Sequence, residues 1–266
     1  MTTHVLTYDE LKSSLVMLGV VQARLMPMFG LLPFMNRSMV PRVVAFSVAA
    51  GLGLLLLPTL PRSNDVPMDM LFVMLLVKEA LIGLLLGFVC ALPFWAMESL
   101  GFVIDNQRGA SMAASINPLT GNDTSPMGLM LNYAFIAFFF ISGGMPLLLG
   151  MIYDSYKLWP PMSFWPQMDL TSASLLFSQL NRMVLTALLL ASPVLLVMFL
   201  AEVGLALISR FAPQLQVFFM AMPIKSALGL FVMVLYTNTL FEYGAQYIKE
   251  LPAWTHQLND MIGGGH

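Results

Sequence analysis

Charged side chains are scarce in this sequence of 266 residues, since Asp, Glu, Lys and Arg together make up only 10% of it. Hydrophobic residues account for 58%, and the mean hydropathy is positive. Soluble domains of this length carry far more charge, so the composition indicates a polytopic membrane protein. The net charge of −2 gives no electrostatic reason to expect nucleic acid as a partner.

Histidine and cysteine are also nearly absent. The three histidines, His4, His256 and His266, lie near the ends of the chain, so neither a histidine metal site nor a Ser-His-Asp relay is expected. Cys90 is the one cysteine, which leaves it no partner for a disulfide within the chain. P-loop, G-x-S-x-G and H-E-x-x-H motifs are missing too. We therefore expect a protein that is not an enzyme and that has no catalytic residues, metal or cofactor.

Long apolar runs broken by proline predict an all-α fold, a polytopic membrane protein of kinked helices and helical hairpins. The runs 11–34 and 68–97 are each long enough to cross a bilayer, which takes about 20 residues. Arg24 lies near the centre of the first run, where a lipid-facing arginine is costly. The run 126–153 carries no charge but is interrupted at 142–146, which predicts two helices with a break between them.

A connector divides the sequence. Residues 156–169 contain three prolines and two tryptophans, a composition typical of a membrane interface. Beyond it, the runs 171–209 and 214–251 predict one long helical hairpin that turns at Pro213. We accordingly predict a helical half over 1–165, the hairpin over 166–252 and a polar, flexible tail over 253–266.

Two neighbouring charges lie in the middle of the apolar run 68–97. Lys78 and Glu79 are followed by Gly83 and Gly87, and Glu79 shares one helical face with both glycines because the spacing is four and eight residues. Small residues let a second backbone approach, and a carboxylate on the same face points into protein rather than lipid. The pattern favours a buried contact between helices or subunits. The alternative is a secondary membrane carrier that uses Lys78 and Glu79 as an intramembrane coupling site.

The hairpin carries a second possible ion pair. Counted outward from the turn, Glu202 and Lys225 differ in depth by about one helical turn, so the two side chains can meet across the hairpin. Structural pairing is the simpler interpretation of these two charges, ahead of a role in transport.

One stretch, 101–125, is polar although long apolar runs flank it. Irregular backbone lies at membrane depth only where protein or a water-filled cavity surrounds it, so this stretch either leaves the membrane or lines a passage. Asp105 and Arg108 are three residues apart and can pair on the last turns of the preceding helix, which would anchor the loop. The small residues that follow allow tight crowding, as in a plug, although a surface loop explains the composition equally well. The plug hypothesis covers Gly109, Ala110, Ser111, Met112, Ala113, Ala114, Ser115, Ile116, Asn117 and Pro118.

Several stretches carry a family resemblance, and they follow one another along nearly the whole chain. They are 101–111 (GFVIDNQRGAS), 117–121 (NPLTG), Gly143-Gly144, 208–215 (ISRFAPQL), 222–225 (MPIK) and Gly229-Leu230. In this order they resemble the SctT/FliR family of type III secretion export apparatus proteins. The sequence of residues 104–109 is more similar to the injectisome branch of that family than to the flagellar branch.

The resemblance implies a function. Proteins of this family form an export gate in the bacterial inner membrane, within the base of the secretion system, together with SctR/FliP-type and SctS/FliQ-type subunits. Unfolded substrates leave the cytoplasm through this gate, and an SctU/FlhB-type protein contacts its entrance. The half 1–165 would then resemble the SctR/FliP subunit and 166–252 the SctS/FliQ hairpin, with a plug loop at about 109–122.

The same resemblance suggests what the intramembrane charges do. We expect them to make buried contacts between helices or subunits during assembly rather than to transfer protons. Together with uncharged neighbours, the residues expected in these buried contacts are Lys78, Glu79, Gly83, Gly87, Glu202, Arg210, Pro213 and Lys225. Besides the protein partners, the expected surroundings are membrane lipid and no nucleic acid.

Overall fold

A computed structural model describes residues 8–35, 39–59, 70–109, 125–162, 170–212 and 217–262. Over these ranges the chain is all-α and contains no strand, so the predicted fold class is confirmed. Two single turns of 3₁₀ helix, Pro33–Met35 and Leu57–Thr59, follow the first two α-helices. The α-helices of the described ranges are α1 (Tyr8–Leu31), α2 (Arg42–Leu56), α3 (Met70–Arg108), α4 (Pro126–Ile141), α5 (Gly144–Leu158), α6 (Leu170–Phe211) and α7 (Val217–Ile262).

Four of these helices, α1, α3, α6 and α7, are long and apolar enough to cross a membrane. Helices α4 and α5 form a fifth candidate that is bent by 76°. The break comes at Gly143, whose φ of +81° is a left-handed conformation that glycine adopts without strain. Pro146 lies in the first turn of α5, where a proline costs no hydrogen bond. The expected interruption of this run is thus confirmed.

The last helix is longer than the sequence indicated. We expected the hairpin to end at Leu251 and a flexible tail to follow, but α7 continues to Ile262. The polar residues that suggested a tail are compatible with helix, and Pro252, which directly precedes them, does not end it. The hairpin turn at Pro213 and residues 263–266 lie outside the described residues.

By its contacts, the chain divides into two compact units. The first unit comprises Met1–Ala91, Met145–Leu176 and Glu250–His266, and the second comprises Leu92–Gly144 and Phe177–Lys249. The boundary between Ala91 and Leu92 falls inside α3, so each unit contains about half of this helix. The division does not follow chain order, so the boundary at residue 165 stays a prediction.

In the first unit, α3 packs directly on the backbone of α1. A Cβ atom added at Gly83 would lie 2.0 Å from the Arg24 carbonyl oxygen, and one at Gly87 would lie 2.7 Å from the Met28 oxygen. No side chain fits into either space, because real Cβ atoms do not approach a backbone oxygen so closely. The two glycines therefore bring Arg24 within reach of the charges on α3.

In the second unit, the end of α3 packs against the start of α4. A Cβ atom added at Gly101 would lie 2.5 Å from the Cα atom of Gly128. Further along the same pair of helices, Phe94 makes edge-to-face contacts with Phe135 and Phe139, with ring centroids 5.1 and 5.3 Å apart. This packing holds the two ends of the 110–124 segment close together.

Candidate functional site

The carboxylate of Asp105 holds both ends of the 110–124 segment. Asp105 lies in the last turns of α3 and is only 3% exposed. One of its oxygens accepts hydrogen bonds from the Ser125 hydroxyl at 2.5 Å and from the Met127 amide at 2.9 Å. Its other oxygen lies 2.6 Å from the Arg108 guanidinium. A single buried carboxylate thus connects the helix before the segment to the helix after it, and we call this arrangement the loop clamp.

Ser125 completes the loop clamp because it also starts α4. Its hydroxyl accepts a hydrogen bond from the Gly128 amide at 2.9 Å, so it is the N-cap of the helix. Pro126 follows at the first helical position, where its missing N–H group costs nothing. Carboxylates near a helix N-terminus are stabilised by the unpaired amides and the helix dipole. Asp105 therefore supplies from α3 the negative charge that the start of α4 favours.

Gly109 ends α3 next to the loop clamp. Its φ is +82°, and its amide donates to the Asn106 carbonyl at 3.2 Å, an arrangement typical of a glycine just past a helix C-terminus. Met222 of α7 lies alongside, with its terminal methyl carbon 3.7 Å from where a Cβ atom of residue 109 would be. The hairpin thus contacts the point at which the chain leaves α3.

A second polar contact joins the hairpin to the same end of α3. Lys225 of α7 donates to Glu202 of α6 at 3.2 Å, and Gln107 of α3 lies 3.5 Å from the same carboxylate oxygen. The Glu202 side chain is half exposed, whereas that of Lys225 is only 11% exposed. Three helices of the second unit therefore meet at the base of the 110–124 segment.

The first unit contains a fully buried arginine. Arg24 is 0% exposed, and its Nε atom donates to Glu79 at 2.6 Å. One terminal nitrogen donates to the Ser155 carbonyl at 2.8 Å, and the other donates to the Trp159 carbonyl at 2.8 Å. The guanidinium also lies 4.1 Å from the ring centroid of Tyr156, a cation–π contact. Every nitrogen of this side chain thus has a partner within the protein.

Glu79 also pairs with its sequence neighbour. The Lys78 ammonium lies 2.8 Å from the second Glu79 oxygen, and both side chains are almost completely buried. Lys78 also donates to the Pro161 carbonyl at 3.0 Å. We call Arg24, Lys78 and Glu79 the buried charge cluster. It joins α1, α3 and the end of α5 through charge-assisted bonds, the stronger class of protein hydrogen bond.

Sequence reasoning did not assign Arg24 or Ser155 to a site. Arg24 is the charge near the centre of one apolar run, and Glu79 is the acid in the middle of another. The opposite charges of Arg24 and Glu79 were the feature of the sequence that could have indicated their pairing. The carbonyl partners of Arg24 carry no signal in the sequence, because every residue has a backbone carbonyl.

The structure places the other predicted residues in several settings. Gly83 and Gly87 lie beside the buried charge cluster, whereas Arg210 is exposed in the single chain. Burial of Arg210, or of the exposed half of Glu202, would therefore have to come from a partner.

Among the described residues, no group of three His, Cys, Asp or Glu side chains is arranged to hold a metal. The plug residues Ala110, Ser111, Met112, Ala113, Ala114, Ser115, Ile116, Asn117 and Pro118, together with Pro213, lie outside the described residues.

The Asp105→Asn substitution tests the loop clamp. We expect it to lower the free energy of unfolding by about 1–3 kcal/mol, because it removes charge-assisted bonds to Arg108 and Ser125. Asp154→Asn is a matched control, since Asp154 pairs with Lys157 at the same spacing of three residues but the lysine and aspartate side chains are 60% and 42% exposed. The control should change stability by less than about 0.5 kcal/mol. Unfolding in mixed detergent, followed by circular dichroism, measures both, and equal effects would contradict the importance of the clamp.

Comparison with known proteins gives a consistent set of relatives. Residues 15–251 match the family described as bacterial export proteins, family 1. The sequence is 39% identical over 240 residues to the Yop proteins translocation protein T of Yersinia pestis, covering 90% of this chain and 92% of the relative. It is 37% identical over 247 residues to the surface presentation of antigens protein SpaR of Shigella flexneri, with 90% and 92% covered. Identity to the flagellar biosynthetic protein FliR of Bacillus subtilis is 27% over 223 residues, with 84% and 86% covered.

Proposed function

Because the chain belongs to the family of bacterial export proteins, family 1, we propose that it is a core subunit of a type III secretion export gate. Its identity is higher to the Yop translocation and SpaR relatives, at 39% and 37%, than to the flagellar FliR relative, at 27%. The injectisome branch is therefore the closer one. The protein is embedded in a membrane, since four of its helices are long and apolar enough to cross one.

The loop clamp carries the proposal that this subunit helps to close the gate. Asp105 ties the last turns of α3 to the first turn of α4, so the described residues on either side of the 110–124 segment are held close together. A polar stretch between apolar helices is suited to obstruct a passage when the residues on both sides of it are held in place. In this proposal residues 109–122 are the plug, and opening requires the segment to move while the clamp holds its ends.

Assembly with other subunits completes the proposed gate. The expected partners are SctR/FliP-type and SctS/FliQ-type subunits and an SctU/FlhB-type protein, and the expected substrates are unfolded proteins that cross the bacterial inner membrane. The hairpin of α6 and α7 supports this proposal, because large apolar side chains are exposed along it. Leu189 and Phe199 on α6 and Val234 and Leu235 on α7 are each more than half exposed. Such a surface requires lipid or a partner helix to cover it.

The buried charge cluster is better suited to assembly than to transport. Both oxygens of Glu79 are engaged, one by Arg24 and one by Lys78. A carrier that used Glu79 as a coupling site would have to release at least one of these bonds in every cycle, at a high cost in a buried setting. We therefore assign the cluster to holding α1, α3 and the end of α5 in the shape that partners recognise.

Co-expression tests the proposed function. The tagged chain is produced alone and together with candidate SctR-type and SctS-type subunits, and each sample is purified in mild detergent. We expect a stable complex that contains all three proteins, and a much lower yield of monodisperse protein when the chain is produced alone. A chain that purifies alone as a stable homo-oligomer and captures neither partner would contradict the proposal and favour a carrier.

A further inference from the structure

Glu98 is an acid in an apolar helix with no cation of the described chain beside it. On α3, no charged residue occurs between Glu79 and Glu98, and this helix is long and apolar enough to cross a membrane. Four other acids of the described ranges each lie within 3.7 Å of a lysine or arginine nitrogen, namely Glu79, Asp105, Asp154 and Glu202. Glu98 has no such partner among the described residues. The described part of the chain therefore does not balance the charge of this carboxylate.

Glu98 belongs to the face of α3 that packs on α4. Phe94 and Gly101 lie about one turn to either side of it, and both contact α4. Asp105 of the loop clamp lies two turns further along the helix, at a distance of about 10 Å. One oxygen of Glu98 accepts a hydrogen bond from the Asn132 side-chain amide of α4 at 2.9 Å. The carboxylate is thus held in place from within the second unit.

The orientation of the Asn132 amide indicates that Glu98 is ionised. Asn132 is 5% exposed and turns its nitrogen toward the carboxylate, although its own oxygen is buried without a hydrogen-bond partner among the described residues. A protonated carboxyl group would donate to that oxygen, whereas an ionised carboxylate only accepts hydrogen bonds. Leaving a buried acceptor unpaired is costly, and the charge-assisted bond to Glu98 offsets this cost. The site therefore holds a negative charge.

The other side of Glu98 is open to a second molecule. Its second oxygen makes no hydrogen bond to a described residue, and the side chain is partly exposed. Phe102 lies one turn further along α3 on the adjoining part of the same face, and it is 47% exposed. A guanidinium fits this combination, since it pairs with a carboxylate and also stacks on an aromatic ring. The surface formed by Glu98 and Phe102 is therefore complementary to an arginine.

We propose that Glu98 and Phe102 dock a helix of a partner subunit that carries an arginine within an apolar run. This inference rests on the proposed function, which supplies the partner subunits. The chain contains the same arrangement internally, because Arg24 of the apolar helix α1 donates to Glu79 of α3. The partner's guanidinium bonds to the second oxygen of Glu98 while Asn132 holds the first. An ionised carboxylate that faces lipid without a cation is costly, so the partner also removes this cost.

Glu98→Gln in the co-expressed complex tests the proposal. The substitution keeps the size of the side chain and an oxygen that accepts from Asn132, but it removes the charge. We expect recovery of the docked partner subunit with the tagged chain to fall about tenfold or more, as for the loss of one member of a desolvated charge pair. The chain produced alone should keep its helical circular dichroism and its unfolding midpoint. Destabilisation of the chain alone, as large as that of Asp105→Asn, would make Glu98 a structural residue and overturn the proposal.

Glu242→Gln is the matched control. Glu242 also accepts a hydrogen bond from an asparagine amide, that of Asn238 at 2.9 Å, but this acid is exposed on α7. The control should leave recovery of the partner within about twofold of the wild type. Equal losses in the Glu98 and Glu242 variants would overturn the proposal. Normal recovery with Glu98→Gln would overturn this inference alone, whereas a wild-type chain that captures no partner would overturn the proposed function.

Charge reversal identifies the arginine. Glu98→Arg brings two cations together and should abolish recovery of the partner. Arginines in the apolar runs of the partner subunits are then replaced by glutamate one at a time, and recovery should return at one position. Return at none of them would contradict the proposed pairing. A photo-reactive side chain at position 102 should cross-link the same partner helix, and cross-links to lipid alone in the assembled complex would overturn the choice of a protein partner.

Discussion

Glu79→Ala is expected to lower the free energy of unfolding by about 3–5 kcal/mol and to prevent recovery of folded protein from membranes. The substitution leaves the Arg24 guanidinium fully buried without its carboxylate. Lys78 loses the same carboxylate, so the two buried positive charges then lie close together with Glu79 no longer between them. Unfolding in mixed detergent, followed by circular dichroism, measures the loss.

Two variants control this experiment. Glu202→Ala removes an acid that also pairs with a lysine, but its side chain is half exposed, so we expect a loss of less than about 1 kcal/mol. The double variant Arg24→Met with Glu79→Met removes both charges and fills their volume, which is often nearly neutral for a buried pair. It should recover part of the stability that the loss of Glu79 alone costs, because Lys78 is then the one member of the buried charge cluster left without its carboxylate. Additive losses in the double variant would contradict a direct interaction between the two residues.

Glu79→Gln separates assembly from transport. Under the assembly assignment, this variant loses complex formation and secretion together, because the shape of the first unit depends on the ion pair. A carrier or proton-coupling role predicts a different result. If the Gln variant assembled normally with its partners while only proton-coupled export stopped, the assignment to assembly would be wrong.

The helices could be predicted from the sequence more fully than their contacts. Apolar runs long enough for a bilayer predict α1, α3, α6 and α7, and the glycine-rich interruption near Gly143 predicts the bend between α4 and α5. The end of α7 could not be predicted, because polar residues occur equally in exposed helices and in tails. Local composition therefore indicates where a helix can form, but it does not determine at which residue the helix ends.

The candidate sites show the same limit. Contacts over short spacings, such as that of Asp105 with Arg108, follow from helix geometry alone. The pairing of Glu202 with Lys225 follows from counting outward along a hairpin, and these side chains lie 3.2 Å apart. The bond between Arg24 and Glu79 joins residues 55 positions apart, and no local rule selects it. Its backbone acceptors could not be read from residue types at all.

Deletion of residues 110–115 is expected to raise ion leakage through the assembled complex by roughly an order of magnitude or more, because a closed constriction excludes ions far better than an open passage. The deletion keeps Gly109, which ends α3, and Ser125, which caps α4, so the loop clamp itself is retained. What changes is the amount of chain available to obstruct the passage. The effect should require the partner subunits, since the proposed conduit exists only in the complex.

A matched deletion addresses the alternative that any shortened loop causes leakage. Residues 61–66 belong to the connection between α2 and α3, and removing them also shortens the chain by six residues. This control should assemble and should not raise leakage. Co-purification of the partner subunits has to be equal for both deletions and the wild type, so that a defect in assembly is not mistaken for an open gate.

The most direct measurement is therefore the potassium efflux of cells that express the complex with the wild-type chain, the 110–115 deletion or the 61–66 deletion. A closed gate obstructed by the loop predicts high efflux for the 110–115 deletion alone, with all three complexes intact. Equal efflux from all three intact complexes would contradict it and would place the 110–124 segment outside the conduit.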